Sequence, residues 1–190
     1  TLEHADPYTS RVAPTWEAVP REDAVVWGDR GPWNKSQLTE YSERGFRFDA
    51  ELFNDAEVAE LQREATRLAT EADRGQPGVI TEPVSNTVRS LFRVHRSSDV
   101  FQSVCSDPRL VEVARQLLGS DVYVHQSRIN FKPAFNGKEF FWHSDFETWH
   151  VEDGMPRMRA VSISLNLTEN HEFNGPLMVV PGSHQFYVRC

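Results

Sequence analysis

The sequence predicts an α+β domain, with helices in its first part and a mainly antiparallel sheet or barrel in its second. Apolar residues recur at steps of three and four before Gly119 and at steps of two after it. The 190-residue chain is 39% hydrophobic and has 12 Phe and 5 Trp, which is enough apolar material for one core. We therefore expect a single domain over residues 1–190, made of an irregular arm (1–40), a helical part (41–120) and a β part (121–190).

The charge and composition exclude several classes of protein. The chain carries 28 acidic and 20 basic residues, a formal net charge of −8, whereas a nucleic-acid-binding protein needs clustered Lys and Arg. No run approaches the roughly 20 apolar residues that cross a bilayer, and the first residues have no apolar signal segment. The two cysteines, Cys105 and Cys190, fit neither a disulfide framework nor a thiolate zinc site. We expect a cytoplasmic protein that binds neither nucleic acid nor a membrane.

The arm shows no sustained period of 3.6 or 2. Four prolines interrupt it, and it holds three of the five tryptophans of the chain. We expect it to be irregular and to pack through its aromatic side chains, Trp16, Trp27 and Trp33.

Two helices are indicated by residues at their ends. Asn54 is suited to cap a helix, and Glu57 completes a capping box three residues later. A second, short helix has Asp107 as its cap, Pro108 as its first residue and Gly119 just past its end. The first helix carries an apolar stripe at steps of three and four, formed by Val58, Leu61, Ala65, Leu68 and Ala72.

Three segments of the second part have the pattern of strands. Residues 122–131 alternate over a long stretch, and residues 157–168 set aliphatic side chains against small and polar ones. Residues 176–180 form an apolar run that ends at a Pro-Gly-Ser turn. We expect all three to be strands, and the small, polar face of residues 157–168 to face something other than a core.

The densest group of chemically able side chains lies in residues 140–150. His143 and Asp145 are two positions apart, so on a strand both leave the same face, with Cα atoms about 7 Å apart, and could hold one ion. An imidazole and a carboxylate are two thirds of the 2-His-1-carboxylate triad, which binds Fe(II) and leaves positions open for a co-substrate and dioxygen. The surrounding aromatic residues would keep bulk water away. A His-x-Asp pair alone is also common as a surface hydrogen bond or a satisfied core histidine.

Two neighbouring segments support the metal-binding interpretation. The predicted strand before the pair carries polar side chains of one parity, and the predicted strand after it has a small, polar face. We expect the three elements to converge on one pocket. Taken singly, Trp149 fits a core residue better than a site residue, and Arg128 and Lys132 are expected to be solvated charges. The polar side chains of one parity are Gln126, Arg128, Asn130 and Lys132.

The sequence from residue 141 to residue 150, FWHSDFETWH, is followed by EDGMP at residues 152–156. This stretch closely resembles the signature of the ectoine hydroxylases, a family within the phytanoyl-CoA dioxygenase superfamily. Shorter stretches that fit the same family are residues 45–46, 91–95 (LFRVH), 125–130 (HQSRIN), 175–177 and 181–184. The resemblance covers most of the chain after about residue 40.

The resemblance implies a double-stranded β-helix (jelly-roll, cupin-like) core with N-terminal helices packed on it. It also implies a dioxygenase that uses Fe(II), 2-oxoglutarate and O2 to hydroxylate ectoine to 5-hydroxyectoine, with release of succinate and CO2. A homodimer is compatible with this reading. Carried over by position, the metal ligands and catalytic residues are His143 and Asp145, the ectoine-binding residues are Gln126, Trp149, Ala160 and Ser162, and the co-substrate-binding residues are Lys132, Asn130 and Phe140.

One part of the family pattern is not found in the sequence. Relatives of this fold supply a second iron-binding His, and an Arg for the distal carboxylate of 2-oxoglutarate, from strands further downstream. The later histidines, His150, His171 and His184, do not match that position. We therefore expect the third ligand beyond residue 190, C-terminal strands that are missing here, and a chain truncated at its C-terminus.

Three other functions remain open on the sequence. One is a related 2-oxoglutarate oxygenase that acts on another small molecule. Another is a cupin-like module that binds a metal or a sugar without redox turnover. A zinc hydrolase is the third, although the sequence has no His-Glu-x-x-His helix.

Overall fold

Helices and short strands are mixed along the chain rather than divided into a helical part and a β part, and the described strands pair antiparallel. The structure is a computed structural model that describes residue 8, residues 17–132 and residues 140–189. The helices within these residues are α1 (Lys35–Arg44), α2 (Asp55–Glu71), α3 (Val94–Ser97), α4 (Asp99–Cys105), α5 (Pro108–Leu118) and α6 (Asp145–Asp153). The strands are β1 (Glu17–Pro20), β2 (Val79–Thr81), β3 (Val88–Phe92), β4 (Arg128–Asn130) and β5 (Phe186–Arg189), and a 3₁₀ turn, Ser183–Gln185, precedes β5.

Helix α2 confirms the predicted capping box. The Asn54 side chain accepts hydrogen bonds from the backbone N–H groups of Ala56 and Glu57, and the Glu57 side chain accepts from the Asn54 N–H. These bonds satisfy donors that the first turn of a helix leaves without partners. The apolar stripe of α2 buries Leu61 and Ala65 in the main core.

Helix α5 also has the predicted ends. The Asp107 side chain accepts from the Arg109 N–H, Pro108 is the first helical residue, and Gly119 is left-handed with φ 60°. A Cβ at Gly119 would lie 2.9 Å from the carbonyl of Trp27, so glycine is needed both for the backbone conformation and for this approach. The Trp27 N–H donates to the Leu117 carbonyl at 2.8 Å, which attaches the arm to α5.

The main core lies between an antiparallel three-stranded sheet and the helices. The strand order is β2-β3-β4, and Ser90 of β3 is paired with Asn130 of β4. The partly buried side chains of Leu165 and Leu167 pack against this core from the second part of the chain. Its buried members are Leu61, Ala65, Val88, Leu91, Val94, Phe101 and Ile129.

The arm is more ordered than the sequence predicts. Strand β1 pairs antiparallel with β5, from Glu17 opposite Arg189 to Pro20 opposite Phe186. Helix α1 begins at Lys35, before the predicted boundary at residue 40, with a capping box formed by Asn34 and Gln37. A strand of four residues is too short for its period to be recognised, and its partner is distant in sequence. Trp16 lies outside the described residues.

The strand predictions for the second part are largely wrong. Of residues 122–131, only the segment Arg128–Asn130 is a strand, and residues 157–168 and 176–180 form no strand ladder with any described residue. Alternation shows which side chains share a face, whereas a strand also needs a neighbour for its backbone hydrogen bonds. The pattern still indicates part of the packing, since Leu165 and Leu167 face the core while Ile163 is exposed.

The segment that ends in the predicted turn contacts the helical part. The Gly182 N–H donates to the Arg44 carbonyl at 3.0 Å, and the His184 Nε2–H donates to the Ser42 carbonyl at 2.9 Å.

None of the described helices is both long enough and apolar enough to span a membrane.

Candidate metal centre

Helix α6 begins at the His143 and Asp145 pair, whose spacing was interpreted with strand geometry. Asp145 is its first residue and His143 lies just before it, with Ser144 as the N-cap. Gly154 closes the helix in the left-handed conformation, and its N–H donates to the Trp149 carbonyl. The sequence carries the signals of this helix, namely a Ser-Asp start with acidic residues in the first turn and a Gly just past the end. The prediction that His143 and Asp145 share a strand face is therefore wrong.

The two predicted metal ligands are nevertheless brought together. His143 Nε2 lies 3.5 Å from Asp145 Oδ1. Two ligands at right angles on one octahedral ion, each about 2.1 Å from it, are about 3 Å apart, so little movement is needed for both to bind one ion. Both side chains are partly exposed, 45% for His143 and 34% for Asp145, so an ion can reach them from solvent.

A hydrogen bond sets the tautomer of His143. Its Nδ1–H donates to the Phe141 carbonyl at 2.6 Å, so Nε2 carries the lone pair on the side of Asp145. A backbone carbonyl acting on the second ring nitrogen is the usual support of a metal-binding histidine. His143 is therefore held in the form that binds a metal ion.

The Asp145 carboxylate is oriented from two sides. The Ser162 hydroxyl donates to Oδ2 at 3.2 Å, and the Arg128 guanidinium Nη2 lies 3.8 Å from Oδ1. The predicted convergence of three segments is thus present for these residues. The sequence favoured a solvated charge for Arg128, and its parity with Gln126 and Asn130 was the available signal for a role at the site.

A third ligand is not found among residues 8, 17–132 and 140–189, where no three His, Cys, Asp or Glu side chains gather around a common point. The later histidines are engaged elsewhere. His150 stacks on Phe146 and its Nδ1–H donates to the Met155 carbonyl, and His184 donates to Ser42. His171 accepts the Phe173 N–H in a turn.

The residues predicted for the co-substrate form a second group. Two cations contact the Phe140 ring, with the Arg89 guanidinium 4.2 Å and the Lys132 ammonium 5.7 Å from its centre. The Lys132 side chain also passes close to Gly175, where a Cβ would come within 2.7 Å of Nζ. Asn130 Oδ1 accepts a hydrogen bond from the buried Ser90 hydroxyl at 2.8 Å.

The four residues predicted to bind the substrate differ in their burial and in their contacts. Trp149 is only 9% exposed, and its ring makes an edge-to-face contact with the His125 ring, with centroids 5.3 Å apart. Ser162 contacts Asp145, as described above. Gln126 is exposed and Ala160 half-buried, and within the described residues no side-chain hydrogen bond joins Gln126 to the rest of the site. Sequence reasoning missed His125, because its parity placed it on the opposite face from Gln126.

The expected aromatic wall is not closed. Phe141 is 78% exposed and Trp142 is 63% exposed, so neither shields the His143 and Asp145 pair. Both residues precede the first turn of α6, and their side chains do not join the buried clusters.

A small aromatic cluster holds α6 from its other side. Phe146 packs edge to face against Tyr8 and Tyr187, with centroids 5.1 Å and 6.1 Å apart, and Met158 completes the cluster. Because Tyr8 belongs to the arm and Tyr187 to β5, the first turn of α6 rests on both ends of the described chain.

Asp23 anchors this cluster. Its Oδ2 accepts from the Tyr8 hydroxyl at 2.9 Å and the Met158 N–H at 3.1 Å, and its Oδ1 accepts from Arg157 Nε at 2.6 Å. Burial alone would raise the pKa of Asp23, but these hydrogen bonds outweigh it and hold the pKa below its usual range. Burial, together with the bond to Asp23, raises the pKa of Tyr8 to about 12.

A His-x-Asp pair at the start of α6, whose imidazole is held in its metal-binding tautomer, defines a candidate mononuclear metal centre of the non-haem type. Residues 41–189 match the phytanoyl-CoA dioxygenase (PhyH) family. The chain therefore belongs to the phytanoyl-CoA dioxygenase family.

Individual relatives agree with this assignment. The ectoine dioxygenase of Bordetella bronchiseptica is 51% identical over 189 residues, which cover 97% of this chain and 61% of that protein. The ectoine dioxygenase of Halomonas elongata is 50% identical over 190 residues, covering 97% of this chain and 57% of that protein. The chain thus spans about three fifths of the length of these curated relatives. The resemblance to ectoine hydroxylases is confirmed.

Solved structures are similar over the same span. The crystal structure of EctD from S. alaskensis with bound Fe has a TM-score of 0.90 and 48% identity, covering 98% of this chain and 68% of that one. The crystal structure of the same protein with 2-oxoglutarate and 5-hydroxyectoine also has a TM-score of 0.90 and 48% identity, covering 98% and 67%.

Proposed function

We propose that the protein is an Fe(II)- and 2-oxoglutarate-dependent dioxygenase that hydroxylates ectoine to 5-hydroxyectoine. The observation that carries the proposal is the approach of His143 Nε2 to Asp145 Oδ1 at 3.5 Å, in a chain about half identical to ectoine dioxygenases. One oxygen atom of O2 enters ectoine and the other enters succinate, while the 2-oxoglutarate carboxyl group leaves as CO2.

The two donors fit the metal that this reaction needs. A neutral imidazole and a carboxylate suit Fe(II), and a triad completed by one more His leaves positions for 2-oxoglutarate and O2. When bound, the iron supplies the redox chemistry that activates O2. His143 contributes the Nε2 lone pair, and Asp145 contributes Oδ1 while Ser162 holds Oδ2.

We place the third ligand, and the arginine for the distal carboxylate of 2-oxoglutarate, beyond residue 190. In support, the described residues hold no three-ligand cluster, and the curated relatives are longer than this chain. We likewise propose a double-stranded β-helix core. Residues 157–168 and 176–180 have the alternating or apolar character of its strands, and we propose that strands from the same downstream part pair with them.

The co-substrate would lie on the side of Lys132. An ammonium held over the Phe140 ring and against Gly175 has a restricted position, which suits a point-charge contact to one carboxylate of 2-oxoglutarate. Asn130, fixed by Ser90, offers its amide N–H group to the same ligand.

The substrate would lie along α6. Ectoine is a small zwitterion, so its site needs an apolar wall and a few polar anchors. Trp149 supplies the wall beside Gln126, Ala160 and Ser162. Arg128, which lies 3.8 Å from Asp145, supplies a positive charge for a substrate carboxylate next to the metal centre.

The test is product analysis by mass spectrometry. The protein is loaded anaerobically with Fe(II) and 2-oxoglutarate, mixed with ectoine and exposed to ¹⁸O2. We expect ectoine to gain one ¹⁸O atom only when 2-oxoglutarate is present, and succinate to form in equal amount. The protein could instead bind iron and consume 2-oxoglutarate without changing ectoine, while it oxidises another small molecule in a substrate panel. That molecule would then be the substrate in place of ectoine.

Variants of the two ligands test the site itself. His143→Ala and Asp145→Ala should each abolish detectable product and weaken Fe(II) binding, measured by anaerobic titration. His171→Ala is the matched control, because His171 lies in a turn away from the pair. Unchanged Fe(II) affinity in His143→Ala would overturn every metal-binding interpretation. Iron binding without any consumption of 2-oxoglutarate would favour the non-redox cupin-like module.

A further inference from the structure

Helix α6 carries a stripe of three residues at steps of four, namely Asp145, Trp149 and Asp153. Residues four apart on a helix are neighbours on one face, so the indole lies between two carboxylates. Residues 125–128 run along this stripe. Arg128 lies beside Asp145 at its start, and His125 contacts both Trp149 and Asp153 further along.

We propose that His125 and Asp153 are positioning residues that set the orientation of the Trp149 ring beside the metal centre. The proposal rests on the proposed function, since Trp149 is assigned there to the substrate site. It adds a specific role for two residues that would not themselves touch substrate or metal.

The contacts of His125 define that role. Its Nε2 is 3.1 Å from Asp153 Oδ2, which holds the imidazole in one plane, and the planes of the imidazole and the indole meet at 76°. An edge-to-face contact is directional, because the positive edge of one ring meets the negative face of the other. The plane of His125 therefore restricts the plane of Trp149. The backbone of Trp149 is held separately, through the bonds that its carbonyl accepts from Gly154 and Met155.

The exposure of these residues separates positioning from simple packing. The Trp149 residue is 9% exposed, whereas the side chains of His125 and Asp153 are 28% and 48% exposed. Replacing the exposed pair opens no large cavity, so the effect on folding should be small. A change in the KM for ectoine would then report a change in the orientation of the indole.

The first measurement requires no turnover. The fluorescence of Trp149 is obtained as the difference between the protein and its Trp149→Phe variant, and the same difference is measured in a His125→Ala background. We expect the Trp149 emission to move to longer wavelength in the His125→Ala background, because the part of the indole that His125 covers becomes accessible to water. An unchanged Trp149 contribution would overturn the proposal, whatever the reaction of the protein.

The second measurement separates the ring contact from the hydrogen bond. His125→Phe keeps a ring against Trp149 without the bond to Asp153, and His125→Gln keeps a donor for Asp153 without the ring. An aromatic pair of this kind corresponds to a change of about 2- to 10-fold, so His125→Ala should raise the KM for ectoine by that factor. We expect kcat and Fe(II) affinity to stay within about 2-fold in all three variants, and His125→Phe to restore part of the KM.

A double-mutant cycle with Asp153→Ala completes the test. Asp153→Ala should raise the KM for ectoine in the otherwise unchanged protein and have no further effect in His125→Ala. Independent, additive effects would overturn the proposal, as would loss of Fe(II) binding in His125→Ala. His171→Ala serves again as the control. Failure to form hydroxyectoine in the unsubstituted protein would count against the proposed function, while the fluorescence comparison would still decide the positioning role.

Discussion

Helices α2 and α5 are secured at their N-termini by their own caps, whereas α6 depends on distant parts of the chain. The Asn54 and Asp107 side chains cap α2 and α5 within a few residues of themselves. The Ser144 side chain makes no such bond at the start of α6. Contacts from the arm, from β5 and from residues 125–128 hold α6 instead. The proposed metal ligands therefore lie where tertiary contacts set the structure, and substitutions far from them in sequence should affect them.

The largest expected effect on stability lies in the helical part. Leu61 of α2 is 3% exposed in the main core, and Leu61→Ala leaves a cavity there. We expect the free energy of unfolding, measured by urea denaturation, to fall by about 2–5 kcal/mol. Glu60→Ala, on the exposed side of the same turn, should change it by less than about 0.5 kcal/mol. A loss below about 1 kcal/mol for Leu61→Ala would show that this core does not carry the stability of the helical part.

The next effect tests how the arm holds α6. Asp23→Asn replaces a buried carboxylate that accepts from Tyr8, Arg157 and Met158, and the new amide group places a donor against another donor. We expect a loss of about 2–3 kcal/mol in the free energy of unfolding at pH 7. Hydrogen exchange should increase in α6 while α2 stays protected. Glu22→Gln is the adjacent control.

The pH dependence of this effect has a definite sign. Because the pKa of Asp23 is lower in the folded protein than in the unfolded chain, its stabilising contribution is complete above the unfolded pKa of about 3.9. The contribution is lost as the pH falls through the folded value. The difference between the protein and Asp23→Asn should therefore be constant from pH 5 to 7 and shrink below pH 4. A difference that stays constant down to pH 3 would contradict the assignment of Asp23 as the anchor.

The sequence predicted α2 and α5, but not α1, α3, α4 or the strands β2 and β3, for a physical reason. A capping box, a proline at the first helical position and a glycine past the end act within a few residues, so they can be recognised in the sequence. The same kind of signal is present for α6, but the two-residue spacing of His143 and Asp145 also fits a strand. The pairing of β1 with β5 could not be predicted, because its partners are separated by most of the chain.

The candidate site was predicted in part. Recognition of residues 141–156 led to His143 and Asp145, and the structure brings both together. The contacts of His125 with Trp149 and of Arg128 with Asp145 depend on how residues 125–128 lie along α6. The alternation of side chains along the sequence could not predict that arrangement, because residues 121–127 do not form a strand.

A smaller effect is expected where the end of α1 contacts the 3₁₀ turn before β5. Gly45 closes α1 with φ 81°, and a Cβ there would come within 2.1 Å of His184 Nδ1. Gly45→Ala must displace His184 in addition to straining the backbone, so we expect a loss of more than about 1–2 kcal/mol in the free energy of unfolding. Gly182→Ala is the matched control, because Gly182 has φ 80° and open space at its Cβ. Equal losses in the two variants would show that the His184 contact contributes nothing.

The smallest effect compares two helix caps directly. Asn54→Ala removes two hydrogen bonds to the first turn of α2 and should lower the free energy of unfolding by about 1 kcal/mol. Ser144→Ala removes no cap bond from α6, so we expect a change of no more than a few tenths of a kcal/mol, roughly the uncertainty of such measurements. Both free energies come from urea denaturation under the same conditions. Equal losses would mean that α6 is held by its own N-cap after all, and the dependence of the candidate metal centre on the arm would then have to be abandoned.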